Sequence, residues 1–180
     1  MIDRRIALLR GINVGTANRI AMADLRKLFE RLGYEDVRTL LNSGNVVFTM
    51  TKKSAGDASA RIEKEIASRL GVTTRVILLG GKELAAGLEA NPLRSIAKDP
   101  ARMLLMVLDD AKTSVRLQPL VKERWAPEGM AVKGRFVYLW CANGIIESRV
   151  WASAGKVLKD SGTARNLSTM SKLLALVEGS

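Results

Sequence analysis

Histidine is absent from this 180-residue chain, and cysteine occurs once, as Cys141. The first absence removes Ser-His and Cys-His nucleophile systems and every histidine-based zinc or iron site. The second removes an internal disulfide framework and any thiolate metal cluster. Chemistry is left to carboxylates, lysine, tyrosine, Cys141, a magnesium-type ion or a cofactor, and no metal-ligand spacing stands out among them. A lone cysteine is most often a small buried hydrophobe, so Cys141 reads as core. Long apolar runs are missing too. The longest strongly apolar run, Met103 to Leu108, is six residues, whereas a membrane-spanning helix needs about 20. Between Asp3-Arg4-Arg5 and Arg10 stand only four apolar residues, too few for a secretory signal. The expectation is a soluble, cytoplasmic protein.

Aromatic residues are scarce, at 4% of the chain, and none alternates along a polar strand as stacking on single-stranded nucleic acid requires. Acidic residues are outnumbered, giving a net charge of +11. Such a charge invites a nucleic-acid reading, but its distribution tempers it. Residues 1–90 carry 15 basic and 10 acidic side chains, and residues 91–180 carry 14 and 8. The excess is spread through the fold and forms no tail or long basic run, so a solvated basic surface is the plainer explanation. Nucleic acid remains the second choice of partner, behind a small ligand.

What is present is an ordinary globular composition, 47% apolar and 26% charged. Residues 4–10 read as a strand followed by a polar loop to Ile20. Met22, Leu25, Leu28, Phe29 and Leu32 then fall at helical spacing, with Gly33 as the stop. Val37, Thr39 and Leu41 alternate along a strand, and Ser43-Gly44 turns it back into Val46-Val47-Phe48. Ile62, Ile66, Ala67 and Leu70 mark a second helix, and 74–79 a closing strand. A short helix over 82–90 leads to Asn91-Pro92. The order then repeats, with a strand at 102–108, a helix near 111–122, strands near 129–133 and 135–141, a helix near 152–160, a strand at 163–165 and a last helix at 168–178. Asn143-Gly144 offers a further hairpin into Ile145-Ile146 as an alternative. The spacing predicts an α+β protein of two ferredoxin-like βαββαβ subdomains, residues 1–80 and 100–180, joined by a connecting helix and linker over 81–99.

Two nucleotide motifs fail. Gly80-Gly81-Lys82 resembles the end of a phosphate-binding P-loop, but Val76 stands where that motif needs its first glycine. Gly11 to Gly15 lacks the G-x-G start of a dinucleotide loop. Asp109-Asp110 marks a strand end. Three polar segments remain: Arg10-Gly11-Ile12-Asn13 through Asn18, Asn42-Ser43-Gly44-Asn45, and Arg165-Asn166 with Thr169 and Lys172. They offer amides, a hydroxyl, glycines and arginine, a set suited to gripping a ligand and poorly suited to proton transfer. Each also has a structural use. Asn13 and Asn18 can satisfy a turn, Asn45 tolerates a left-handed backbone, and Asn166 can cap the last helix. Arg10 is different, because a charge ending a buried strand wants an anion or water. In a βαββαβ sheet the first and third strands are central and antiparallel. Arg10, Gly11, Asn13 and Asn18 should therefore meet Asn42, Ser43 and Asn45, and Arg165 and Asn166 are candidates to join them. The ligand expected there is small and anionic or nucleotide-like. No cofactor, metal, reaction or oligomeric state follows from these residues.

The run Ala7-Leu8-Leu9-Arg10-Gly11-Ile12-Asn13-Val14-Gly15, with Asn18 to Leu25 and Gly33 to Arg38, resembles the bacterial domain of unknown function 1697 family. Ser43 to Phe48, Asn91-Pro92 and Thr163 to Leu173 resemble the later blocks of the same family. The resemblance runs essentially end to end and implies two ferredoxin-like α+β subdomains; it implies no established activity and supplies no catalytic residues to carry over. The chain departs from the family where it has Gly15-Thr16 for a double glycine, Asn42 for glutamine and Leu167 for tryptophan.

Overall fold

The computed structural model describes residues 2–51 and 56–179. The protein is α+β, with two four-stranded antiparallel sheets and, among the described residues, six α-helices. It divides into two compact units: one runs to Glu83 and takes in the chain again from Leu173, and the other is Leu84–Lys172. Both are consistent with the βαββαβ expectation.

In the first unit β1 (Ile2–Leu9) leads through a polar loop to α1 (Met22–Arg31), then β2 (Glu35–Leu40), β3 (Asn45–Thr51), α2 (Ala58–Leu70) and β4 (Val76–Gly80). The sheet order is β2-β3-β1-β4. The central pair sets Leu8 opposite Asn45 and Ile6 opposite Val47, so the end of β1 lies beside the start of β3. Ala7 and Leu9 alternate with Ile6 and Leu8, as a strand requires. One set joins Leu25, Leu28 and Phe29 of α1 and Ile62 and Ile66 of α2 in the core. Phe29, Tyr34 and Phe48 form an aromatic cluster there, with ring centroids 4.6–5.8 Å apart, a spacing that favours edge and offset contacts. Gly71 ends α2 at φ +66°. Leu41 departs from the expected alternation. Its φ is +56° and it stands outside β2, where the strand gives way to the turn.

The second unit runs β5 (Met103–Leu108), a 3₁₀ segment (Ala111–Leu117), α4 (Gln118–Val121), β6 (Gly129–Lys133), β7 (Phe136–Trp140), α5 (Arg149–Leu158), β8 (Gly162–Asn166) and the start of α6 (Leu167–Glu178), whose residues from Leu173 group with the first unit. Its order is β6-β7-β5-β8. The helix read near 111–122 is mostly 3₁₀, with a single α turn. Thr113 and Val115 are weak helix formers, and Pro119 brings no N–H to the ladder. The alternative strand at Ile145-Ile146 does not form. Gly144 instead closes a turn on the Cys141 carbonyl (2.9 Å), and the Ser148 N–H donates to Ile145 (3.2 Å). Ahead of β5, α3 (Gly81–Glu89) presents Gly87 to this sheet, where the Tyr138 hydroxyl donates to its carbonyl at 2.7 Å.

Candidate functional site

The loop after β1 is closed across its neck. The Asn13 N–H donates to the Asn18 carbonyl at 3.0 Å, and Asn18 Nδ2 reaches the Gly11 carbonyl at 3.4 Å. Arg10 therefore enters this loop, and Arg19 leaves it, at the same neck. Gly11, Asn13, Gly15 and Asn18 all have φ between +52° and +64°, conformations that glycine and asparagine adopt most readily. The Arg10 side chain is exposed. Its backbone is pinned, the N–H donating to the Arg75 carbonyl (2.9 Å) and its own carbonyl accepting from Thr74 Oγ1 (2.8 Å).

Asn13 joins this loop to the turn between β2 and β3. Its Nδ2 donates to the Ile20 carbonyl (2.9 Å) and to the Asn42 carbonyl (2.7 Å), and its Oδ1 accepts from the Ile20 N–H (2.8 Å). Asn45, fully buried, donates from Nδ2 to the Leu40 carbonyl (2.8 Å) and to Ser43 Oγ (2.9 Å). Gly44 accepts from the Leu9 N–H at 2.8 Å. The structure thus brings the Arg10–Asn18 and Asn42–Asn45 segments to one end of the first sheet. The amides do not serve alike. Those of Asn13 and Asn45 are committed to holding the loops, whereas the exposed Asn42 amide has no side-chain partner among the described residues. Beside them opens a cleft of about 280 Å³ lined by Asn13, Arg19, Ile20, Ala21, Met22 and Asn42.

Arg165 and Asn166 lie in the second unit, on β8. Arg165 Nη1 donates to Thr163 Oγ1 (3.0 Å) and the Ala164 carbonyl (2.9 Å), and burial lowers its pKa to about 10. Asn166 caps α6, its Oδ1 accepting from the Thr169 N–H at 2.8 Å. The capping use foreseen for Asn166 is the one the structure displays. Among the described residues no cluster of carboxylates or cysteine is arranged to hold a metal ion.

Residues 2–138 match the family described as protein of unknown function DUF1697. The chain belongs to the DUF1697 family. Among solved structures it is similar to the conserved bacterial protein SP0830 from Streptococcus pneumoniae, at 24% identity and a TM-score of 0.81 over 98% of this chain and 99% of that one. That likeness is one of fold. Comparison with curated proteins finds no match. Within this DUF1697 fold, sequence reasoning missed the cleft walls Ile20, Ala21 and Met22, and Arg19 beside them. Their one legible signal was position, between the Asn18 turn and the first apolar stripe of α1.

Proposed function

We propose that this DUF1697 protein binds a small anionic or nucleotide-like ligand at the end of the first sheet. The observation that carries the reading is the joining of two loops by the Asn13 side chain around an open cleft with arginine beside it. Arginine and backbone or side-chain amides suit an oxyanion, because each offers directed N–H donors. A pre-closed loop also lowers the ordering cost of binding. The strand order and antiparallel pairing support assigning each unit to the ferredoxin-like class, whose loop ends are free to carry such a site. Arg165 and Asn166 remain proposed ligand contacts of the second unit, with Asn166 available only through what its capping bond leaves.

A thermal-shift screen of inorganic phosphate, nucleotides, sugar phosphates and dicarboxylates tests the reading. The expected result is a stabilising anion whose effect is lost in Arg10→Ala while the unliganded melting temperature holds. A large fall in that melting temperature would instead make Arg10 a structural clasp of its loop. The +11 charge favours a second reading, weak sequence-independent nucleic-acid binding. Such binding has Kd values of about 10⁻⁴–10⁻⁶ M at physiological salt and weakens steeply as salt rises. Oligonucleotide titrations at two salt concentrations separate the two readings, and tight sequence-selective binding would reverse their order.

A further inference from the structure

Leu41 has a left-handed backbone, φ +56°, and its side chain is 54% exposed. Both features cost free energy. A branched aliphatic residue is strained at positive φ, and an exposed leucine forgoes burial. Asn13 and Asn18 sit at similar φ with the amide chemistry that tolerates it. Folding alone would be served better at position 41 by asparagine or glycine. Val14, on the other loop, is 72% exposed. Val14 follows Asn13 and Leu41 precedes Asn42, and those two cleft-lining residues are joined by the 2.7 Å hydrogen bond. Two exposed apolar residues therefore flank a contact that ties the loops together.

The adjoining cleft has a matching division. Ile20, Ala21 and Met22 give it an apolar side, the Asn42 amide supplies a donor and acceptor, and Arg19 supplies a cation. Its volume, about 280 Å³, lies near the lower end of small-ligand sites, which start at about 300 Å³. Inorganic phosphate would leave the apolar wall unused, and a purely apolar ligand would leave the Arg19 cation and the Asn42 amide unused. We propose that the ligand is a nucleoside phosphate, its base lying against Val14, Leu41 and the Ile20–Met22 wall and its phosphate toward Arg10 and Arg19. The Asn42 amide then reads a base edge. This inference rests on the anion-binding reading of the same loops and specifies the rest of the ligand.

Calorimetric titration of the full chain with AMP, GMP, adenosine and inorganic phosphate tests it, using the native protein, Leu41→Asn, Val14→Thr and Arg10→Ala. The expected pattern is a nucleotide bound at least about tenfold more tightly than phosphate or adenosine, the step that roughly 1.4 kcal/mol of added contact gives. Leu41→Asn and Val14→Thr should each weaken the nucleotide several-fold and leave phosphate unchanged. Leu41→Asn should also keep or raise the melting temperature, because it relieves the left-handed strain. Equal binding of phosphate and nucleotide, indifferent to Leu41→Asn, would overturn the inference and leave the anion site standing. Adenosine binding as well as AMP, with Arg10→Ala indifferent, would overturn the anion reading. No binding of any probe would remove both. A fall in melting temperature for Leu41→Asn would show that leucine is required at that backbone, and the argument from strain would fail.

Discussion

Gly44 sets the closest approach in the candidate site. Its φ is +83°, and a Cβ added there would come within 2.8 Å of both Leu9 Cβ and Ile12 Cδ1. The Leu9 atom is attached directly to the central strand and cannot step aside. Gly44→Ala combines left-handed strain with overpacking and should destabilise by about 2–4 kcal/mol, read from the urea midpoint. Asn13→Gly makes a gentler test of the loop clasp, since glycine keeps the φ of +54° and removes only the side-chain bonds. It should cost about 1–3 kcal/mol and weaken any ligand held between the loops. Cys141 answers a different question. Burial pushes its thiol above the ordinary 9.0, the Ser148 hydrogen bond pulls it back, and the Glu128 charge adds to the rise. Well below pH 9 the thiol is protonated both folded and unfolded, so it carries no pH-dependent penalty there. Above pH 9 the unfolded thiol ionises first and stability is lost. Cys141→Ala should therefore show a shallower fall in stability above pH 9. In the native protein a disulfide reagent should label Cys141 at the rate of opening.

At the scale of elements, α5 shows how the second unit fixes a helix start. Ser148 Oγ accepts from the Trp151 N–H (3.1 Å), and the buried Glu128 carboxylate accepts from the Arg149 (3.0 Å) and Val150 (3.2 Å) N–H groups. These partners satisfy donors that a helix start otherwise leaves open. Ser148→Ala should cost about 1 kcal/mol, measured by chemical denaturation. Local chemistry also explains which elements were legible. The stripe Leu25, Leu28, Phe29 announces α1, and the Gly129–Lys133 strand falls where its pattern placed it. The meeting of Asn13 with Asn42 followed from strand pairing alone. The 3₁₀ segment was misread because Leu117, Leu120 and Val121 fall at helical spacing, yet within Ala111–Leu117 only Leu117 is buried. Leu41 was misread because alternation cannot register a backbone that turns left-handed after the strand. The use of the Asn13 and Asn45 amides as clasps was illegible, since it depends on carbonyls 5 to 29 residues away.

For the whole molecule, no helix among the described residues is long and apolar enough to cross a membrane. The end of the chain matters to its beginning. From Leu173 onward the chain belongs with the first unit, where Leu173 and Val177 are buried and the Val177 carbonyl accepts from Arg4 Nη1 at 3.4 Å. A chain ending at Lys172 should lose roughly 3–6 kcal/mol, the value of two buried aliphatic side chains, and the first unit should melt earlier in calorimetry. The central claim, that the joined loops of the first sheet are where this protein meets a ligand, is tested most directly by amide chemical-shift mapping during titration with AMP. The account predicts saturable shifts at Arg10 to Met22 and Leu41 to Gly44. Shifts confined to other surfaces, such as the α1–α2 cleft of Lys27, Arg31 and Arg69, or no shifts at all, would contradict it.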